Sequence, residues 1–279
     1  ESNFIQIDET TAYFSSSTLE NEKYQSVILS TLFIDGSWQK GKYINLGEFY
    51  STANVNLPKN DSVFYFSICD QQGNWKIASR EYKKQITEKL NDNINLMNSK
   101  NTQPHVTLHD KQKVMYFVSD RKGGHGGMDI WLSIIDHSGN FGIPINAGKK
   151  INSRFNEITP FFNEFEGELY FSSDRNNGLG GFDIYKSRGR LNLWEKPINV
   201  IQINSTKNEM YLTFYNENKG YFASNRSEAR YNTEEFCCND IFSFKLETKE
   251  MEKPINKQLT AKYTPLKLYF HNDEPDCCT

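Results

Sequence analysis

Long apolar runs are missing from this chain. None approaches the roughly 18 residues that a membrane-spanning helix requires, and the mean hydropathy is -0.69, so direct membrane insertion is not expected. A basic excess is missing too. With 32 Lys and Arg against 35 Asp and Glu, and a formal net charge of -3, nothing in the overall balance attracts a phosphate backbone, and no nucleic-acid partner is expected. Cysteine is scarce and oddly distributed: Cys69 stands alone, and the other four form two adjacent pairs, Cys237-Cys238 and Cys277-Cys278. That pattern fits neither a dense disulfide framework nor a C-x-x-C zinc ribbon. No charged-then-apolar leader precedes Glu1, so the sequence is expected to be a mature chain or an excised piece.

What the chain has instead is aromatic residues, at 14% of 279 positions, and a phrase that returns. Ser119-Asp120-Arg121 runs through Gly123-Gly124-His125-Gly126-Gly127 to Asp129-Ile130-Trp131, and Ser173-Asp174-Arg175 runs through Gly178-Leu179-Gly180-Gly181 to Asp183-Ile184-Tyr185. Arg121 and Arg175 are 54 positions apart, as are Asp129 and Asp183. A looser copy joins Ser224-Asn225-Arg226 to Asp240-Ile241-Phe242 across a longer insertion. An aromatic run precedes each copy, at Tyr116-Phe117, Tyr170-Phe171 and Tyr221-Phe222, and such alternation favours a strand. Each unit therefore reads as strand, glycine-rich turn, strand, with the glycines expected to supply positive φ in a tight reversal.

Phe14, Phe66, Phe117, Phe171 and Phe222 extend the repeat over five units of about fifty residues. This is the signature of radial repetition in which each unit is one propeller blade. An all-β propeller of five blades is expected, with innermost strands near Phe4, Val55, Val106, Ile158 and Tyr211; six blades are the alternative if a neighbouring segment of a longer chain supplies one more. Between residues 81 and 100, Ile86, Leu90 and Ile94 carry a weak helical pattern, against which stands the reading of a solvated loop and outer strand.

The recurring charges call for structural roles. Arg121, Arg175 and Arg226 with Asp129, Asp183 and Asp240 are expected to form an ion pair or turn clamp once per blade. Glu157 and Glu209 also recur, which argues against a catalytic pair, because acid and base need unlike environments. His105 and His109 lie about 13 Å apart if they sit on one strand, too far to share a metal ion, and are expected in turn or surface positions. His125 in the glycine turn is expected to be exposed. The Gly-x-Gly-Gly phrases lack the Lys-Ser or Lys-Thr of a phosphate loop. No catalytic, cofactor-binding or metal-binding residue is assigned.

The phrases Leu169-Tyr170-Phe171-Ser172-Ser173-Asp174-Arg175, Gly180-Gly181-Phe182-Asp183-Ile184-Tyr185, Pro197-Ile198-Asn199 and Ile203-Asn204-Ser205 resemble the TolB-type propeller repeats of OmpA-family envelope proteins from Bacteroidetes-like bacteria. The resemblance is most specific in units three and four. It implies a non-catalytic scaffold in the periplasm, associated with the outer membrane and binding protein partners of the cell envelope. The similarity extends to the propeller part of the accessory envelope component of type IX secretion, where peptidoglycan attachment belongs to domains absent from this chain. The expected organisation is a propeller over residues 1–258 and, over 259–279, a tail or the start of a following domain. In a periplasmic setting Cys237, Cys238, Cys277 and Cys278 are candidate disulfide partners tying unit five to the tail. The rival reading is a carbohydrate-active propeller enzyme or a glycan-binding propeller; an enzyme of that kind would need non-repeated Asp or Glu residues facing one another in the central channel.

Overall fold

A computed structural model of the protein describes residues 1–20, 23–59, 61–82, 84, 86–109, 111–229, 239–246 and 261–265. The strands form five antiparallel sheets arranged as a five-bladed propeller. Blade one comprises β1 (Ser2–Gln6), β2 (Thr11–Glu20) and β3 (Lys23–Ile34), with the short β4 (Ser37–Trp38) and β5 (Lys42–Tyr43) at its outer edge. Blade two is β6 (Ser51–Asn56), β7 (Val63–Cys69), β8 (Trp75–Glu81) and β9 (Glu88–Lys89). Blade three is β10 (Asn101–His109), β11 (Gln112–Ser119), β12 (Asp129–Ile134) and β13 (Ile145–Asn146). Blade four is β14 (Glu157–Asn163), β15 (Glu168–Ser173) and β16 (Asp183–Arg190), edged by β17 (Leu193–Trp194) and β18 (Ile198–Asn199). Blade five is β19 (Glu209–Phe214), β20 (Lys219–Ser224), β21 (Asp240–Leu246) and β22 (Ala261–Pro265).

The first strand of each blade is innermost, and β1, β6, β10, β14 and β19 neighbour one another in that order around the ring. All five lie where the repeat places them. The aromatic second strands are apolar on both faces because each face meets a different blade, side chains alternating along a strand. In β11, Met115 and Phe117 pack toward blade two, whereas Val114, Tyr116 and Val118 pack toward blade four. The same division sends Tyr170 toward blade five and Leu169 and Phe171 toward blade three.

One boundary is corrected here, and of the two readings of 81–100 the loop and outer strand is the one observed. β22 pairs with β21 from Phe242↔Pro265 to Leu246↔Ala261, so blade five runs past the boundary expected at residue 258. The stretch from 81 to 100 carries the outer strand β9 and turns among its described residues; Ile94 is buried as a core residue without a helix beneath it.

The glycine turns also differ from expectation. Among the glycines of the two clear copies, Gly123 has a positive φ, +95°, while Gly124, Gly126, Gly127, Gly178, Gly180 and Gly181 do not. Their requirement is space. A Cβ on Gly126 would stand 2.0 Å from the Phe155 carbonyl oxygen, and one on Gly180 would stand 2.0 Å from that of Lys207. Each turn is pressed against the segment leading into the next blade, where Gly127 N donates to Phe155 O at 3.1 Å and Gly181 N to Lys207 O at 2.9 Å.

Candidate functional site

Beyond this interblade contact, the repeated motif ties its own blade and turn together. The ion-pair partner of the arginine is the glutamate at the head of its own blade's innermost strand: Arg175 Nη2 lies 3.1 Å from Glu157 Oε1, and Arg226 Nη2 lies 3.1 Å from Glu209 Oε1. Both glutamates are fully buried. In blade three the equivalent position holds Asn101, whose Oδ1 accepts from Arg121 Nη2 at 2.7 Å. Burial without a carboxylate partner there pushes the Arg121 guanidinium down to about 10, against a small opposing effect of Asp120. The aspartates take the turn-clamp role. Asp129 accepts from His125 N and Gly126 N, and Asp183 from Leu179 N and Gly180 N. Asp240 is buried at the start of β21, opposite Ser224.

The histidine expectation is corrected. His105 and His109 are both buried on the innermost strand β10. His105 Nδ1 meets Asn56 Nδ2 at 3.3 Å and its Nε2 faces the Phe162 carbonyl, while burial lowers its pKa to about 4. His109 bonds the Tyr116 hydroxyl at 2.7 Å and stacks on Phe162. His125 is exposed. Cys69 is a buried free thiol whose pKa is raised by burial; Cys237, Cys238, Cys277 and Cys278 lie outside the described residues.

With the motif used up in holding blades and turns together, the distinctive chemistry lies in the channel. Each innermost strand contains one non-glycine residue in the left-handed region: Asn3 at φ 50°, Asn54 at 55°, Gln103 at 53°, Thr159 at 53° and Tyr211 at 56°. The strand pairing slips at each of these places. Such a bulge re-aims a side chain; Asp35, Asn98, Lys111 and Leu191 share the left-handed backbone outside the innermost strands. Here all five side chains line the channel.

On the face that carries the glycine turns, the channel opens into a basin of about 340 Å³. Its wall mixes hydroxyls and amides, from Ser2, Ser15, Ser17, Ser26, Thr102, Asn54, Gln103 and Tyr211, with apolar surface from Ala53, Trp75, Met128 and Ile158 in comparable amount. Lys100 is the charged side chain on the wall. Beyond the basin lies a second space of about 30 Å³, toward His105 and Phe161. Asn54, Gln103 and Tyr211 line both spaces. Gln103 links this partition to blade four by accepting from Thr159 N at 2.8 Å, and its amide Nε2 donates to the Tyr211 hydroxyl at 3.4 Å. Burial raises the Tyr211 pKa, while bonds from Asn54, Gln103 and Ser2 to its oxygen act the other way.

None of these channel residues stands out in the sequence. The five share a structural position and are all polar, three of them amides, but residues of these types are common along the chain, so the repeat locates the strand and leaves the side chain unremarkable.

No protein-family model matches the chain, and no curated protein matches it. Among solved structures, a thermostable family-43 glycoside hydrolase aligns with a TM-score of 0.60 at 13% identity, covering 96% of this chain and 94% of its own. A putative TolB from Agrobacterium tumefaciens gives 0.52 at 11% identity over 85% and 84%. Bacillus subtilis levansucrase in complex with oligosaccharides gives 0.52 at 8% identity over 95% and 84%. The fold is therefore shared by TolB-like propellers and carbohydrate-active enzymes. This corrects the expectation that the chain is non-catalytic, since the fold is shared with enzymes: a glycoside hydrolase aligns over more of the chain, and at a higher score, than the putative TolB.

Proposed function

We propose that this propeller recognises carbohydrate, taking a saccharide into the basin at the channel mouth. The observation that carries the reading is the composition of the wall. Sugars present many neutral hydroxyls that both donate and accept, together with apolar C–H faces. A wall of serine and threonine hydroxyls and side-chain amides beside an indole offers matching partners for both. A volume of about 340 Å³ also falls within the usual size of ligand pockets. The likeness in fold to a glycoside hydrolase and a levansucrase supports the same class of ligand.

The test is calorimetric titration with linear xylo-, arabino-, malto- and levan-oligosaccharides, with release of reducing sugar followed in parallel to detect turnover. At least one series is expected to bind, and Trp75→Ala is expected to weaken that binding about tenfold or more, as for loss of an aromatic contact with its buried area. Absence of binding by every series would remove the proposal. An envelope location, implied by the motif resemblance, belongs to the same proposal. The native chain is expected in the periplasmic fraction, and recovery from the cytosolic fraction would remove that part.

A further inference from the structure

We infer that the basin is blind and recognises the end of a saccharide chain, not its interior, with Tyr211 as the residue that closes the floor. The inference rests on the carbohydrate reading above and adds the mode of engagement. Two spaces lie along the channel, about 340 Å³ at the mouth and about 30 Å³ beyond. The smaller is about a tenth of the larger, space for about two waters, and has no room for a sugar ring. A chain entering from the mouth therefore stops at the partition.

The partition is built to stay closed. Asn54, Gln103 and Tyr211 come from three different blades and face both spaces. All three have left-handed backbones, and Gln103 joins blade three to its neighbours across the channel, accepting from Thr159 N at 2.8 Å and donating from Nε2 to the Tyr211 hydroxyl at 3.4 Å. Two of them are also tied to the preceding blade at the backbone: Asn54 N donates to Ser15 Oγ at 2.9 Å and Gln103 N to Ser67 Oγ at 3.0 Å. The floor thus presents a phenol hydroxyl and two amides to whatever arrives first. The hydroxyl at the end of a chain, which in an interior unit is converted to a glycosidic linkage, is the group such a floor meets.

The mouth is ringed by Ser17 and Ser26 of the β2–β3 hairpin and by Trp75, Lys100 and Met128, so units behind the first extend outward past the rim. Affinity should therefore rise over the first units and then level off.

The experiment compares, in whichever oligosaccharide series binds, linear chains of increasing length, the same chains methylated at their terminal hydroxyls, and cyclic glucans. Linear chains are expected to bind with affinity that stops rising once the basin is filled. Blocked chains and rings are expected to be weaker by about tenfold or more, the loss anticipated when buried hydrogen-bonding groups are left unmatched. Tyr211→Phe, which keeps the plug and removes the hydroxyl, should lower affinity while preserving the preference for free ends. Tyr211→Ala should erase the preference, with thermal melting checking that the ring remains folded; Gln103→Ala serves the same purpose if that variant does not fold. Cyclic or blocked saccharides binding as tightly as linear ones would overturn the blind-floor inference and leave the carbohydrate reading standing. Failure of every linear series to bind would overturn both.

Discussion

Thr213 donates its hydroxyl to the carbonyl oxygen of Phe4 at 2.8 Å, joining β19 to β1 across 209 positions of chain. The described strands of blade one come wholly from the N-terminal side and those of blade five wholly from the C-terminal side, so the ring closes by contacts between two sheets and not by a shared sheet. Phe4 also sits 4.5 Å, centroid to centroid, from Tyr221, whose hydroxyl bonds Gln6 Oε1. Phe4→Ala is accordingly expected to cost about 3–5 kcal/mol, the range for truncating a buried aromatic. Denaturant unfolding measures it, and a loss under about 1 kcal/mol would mean that closure does not depend on this contact.

Arg175→Ala leaves Glu157 buried but still bonded by Ser153 N and Oγ and by Ser173 Oγ. A cost of roughly 3 kcal/mol is expected, between that of an unsatisfied buried group and that of a broken buried ion pair. Asn101→Glu is the informative counterpart. It recreates in blade three the arginine–glutamate pair of blades four and five, yet it is expected to destabilise, because Asn101 Nδ2 donates to the Leu96 and Ser99 carbonyls and a carboxylate there would face both as an acceptor. Melting of the two variants against the parent chain settles the comparison.

Gly180→Ala is expected to be far more damaging than Gly73→Ala. The first forces a methyl to 2.0 Å from the Lys207 carbonyl oxygen, whereas the second meets nothing within 4 Å and pays only for its φ of +84°. About 1 kcal/mol is expected for the left-handed strain alone and several times that for the backbone clash. Equal melting temperatures for the two variants would remove the close-approach explanation of the turn.

Acid should loosen the ring around His105. Burial depresses its pKa from 6.5 to about 4, with only partial opposition from the Phe162 carbonyl and Glu164. The unfolded chain takes up the proton below about pH 6.5 and the folded chain only near pH 4, so the unfolded state binds more protons in that window and stability falls as the pH is lowered through it. The contribution of this one site is on the order of 3 kcal/mol across the window. His105→Asn should flatten the dependence of stability on pH between 4 and 6.5, and an unchanged slope would mean that other groups carry it.

By itself the sequence determined the architecture. A period of about fifty residues, carried by aromatic runs such as Tyr116-Phe117 and Tyr170-Phe171, specifies blades because a strand that is apolar on both faces must be covered on both. It also marked Arg175, Asp183 and Gly180 as repeated and hence structural, although their partners were legible only in space. Arginine meets Glu157, the aspartate meets turn amides, and the glycine is demanded by a carbonyl from the next blade. The burial of His105 and His109 was hidden because periodicity on an innermost strand does not say that both of its ends lie under neighbouring blades.

The channel was decided by tertiary structure alone. Asn3, Asn54, Gln103, Thr159 and Tyr211 stand about fifty residues apart, so no local pattern connects them. They become one site because ring closure brings five slipped strands to a common axis, and a left-handed bulge in each turns its side chain inward.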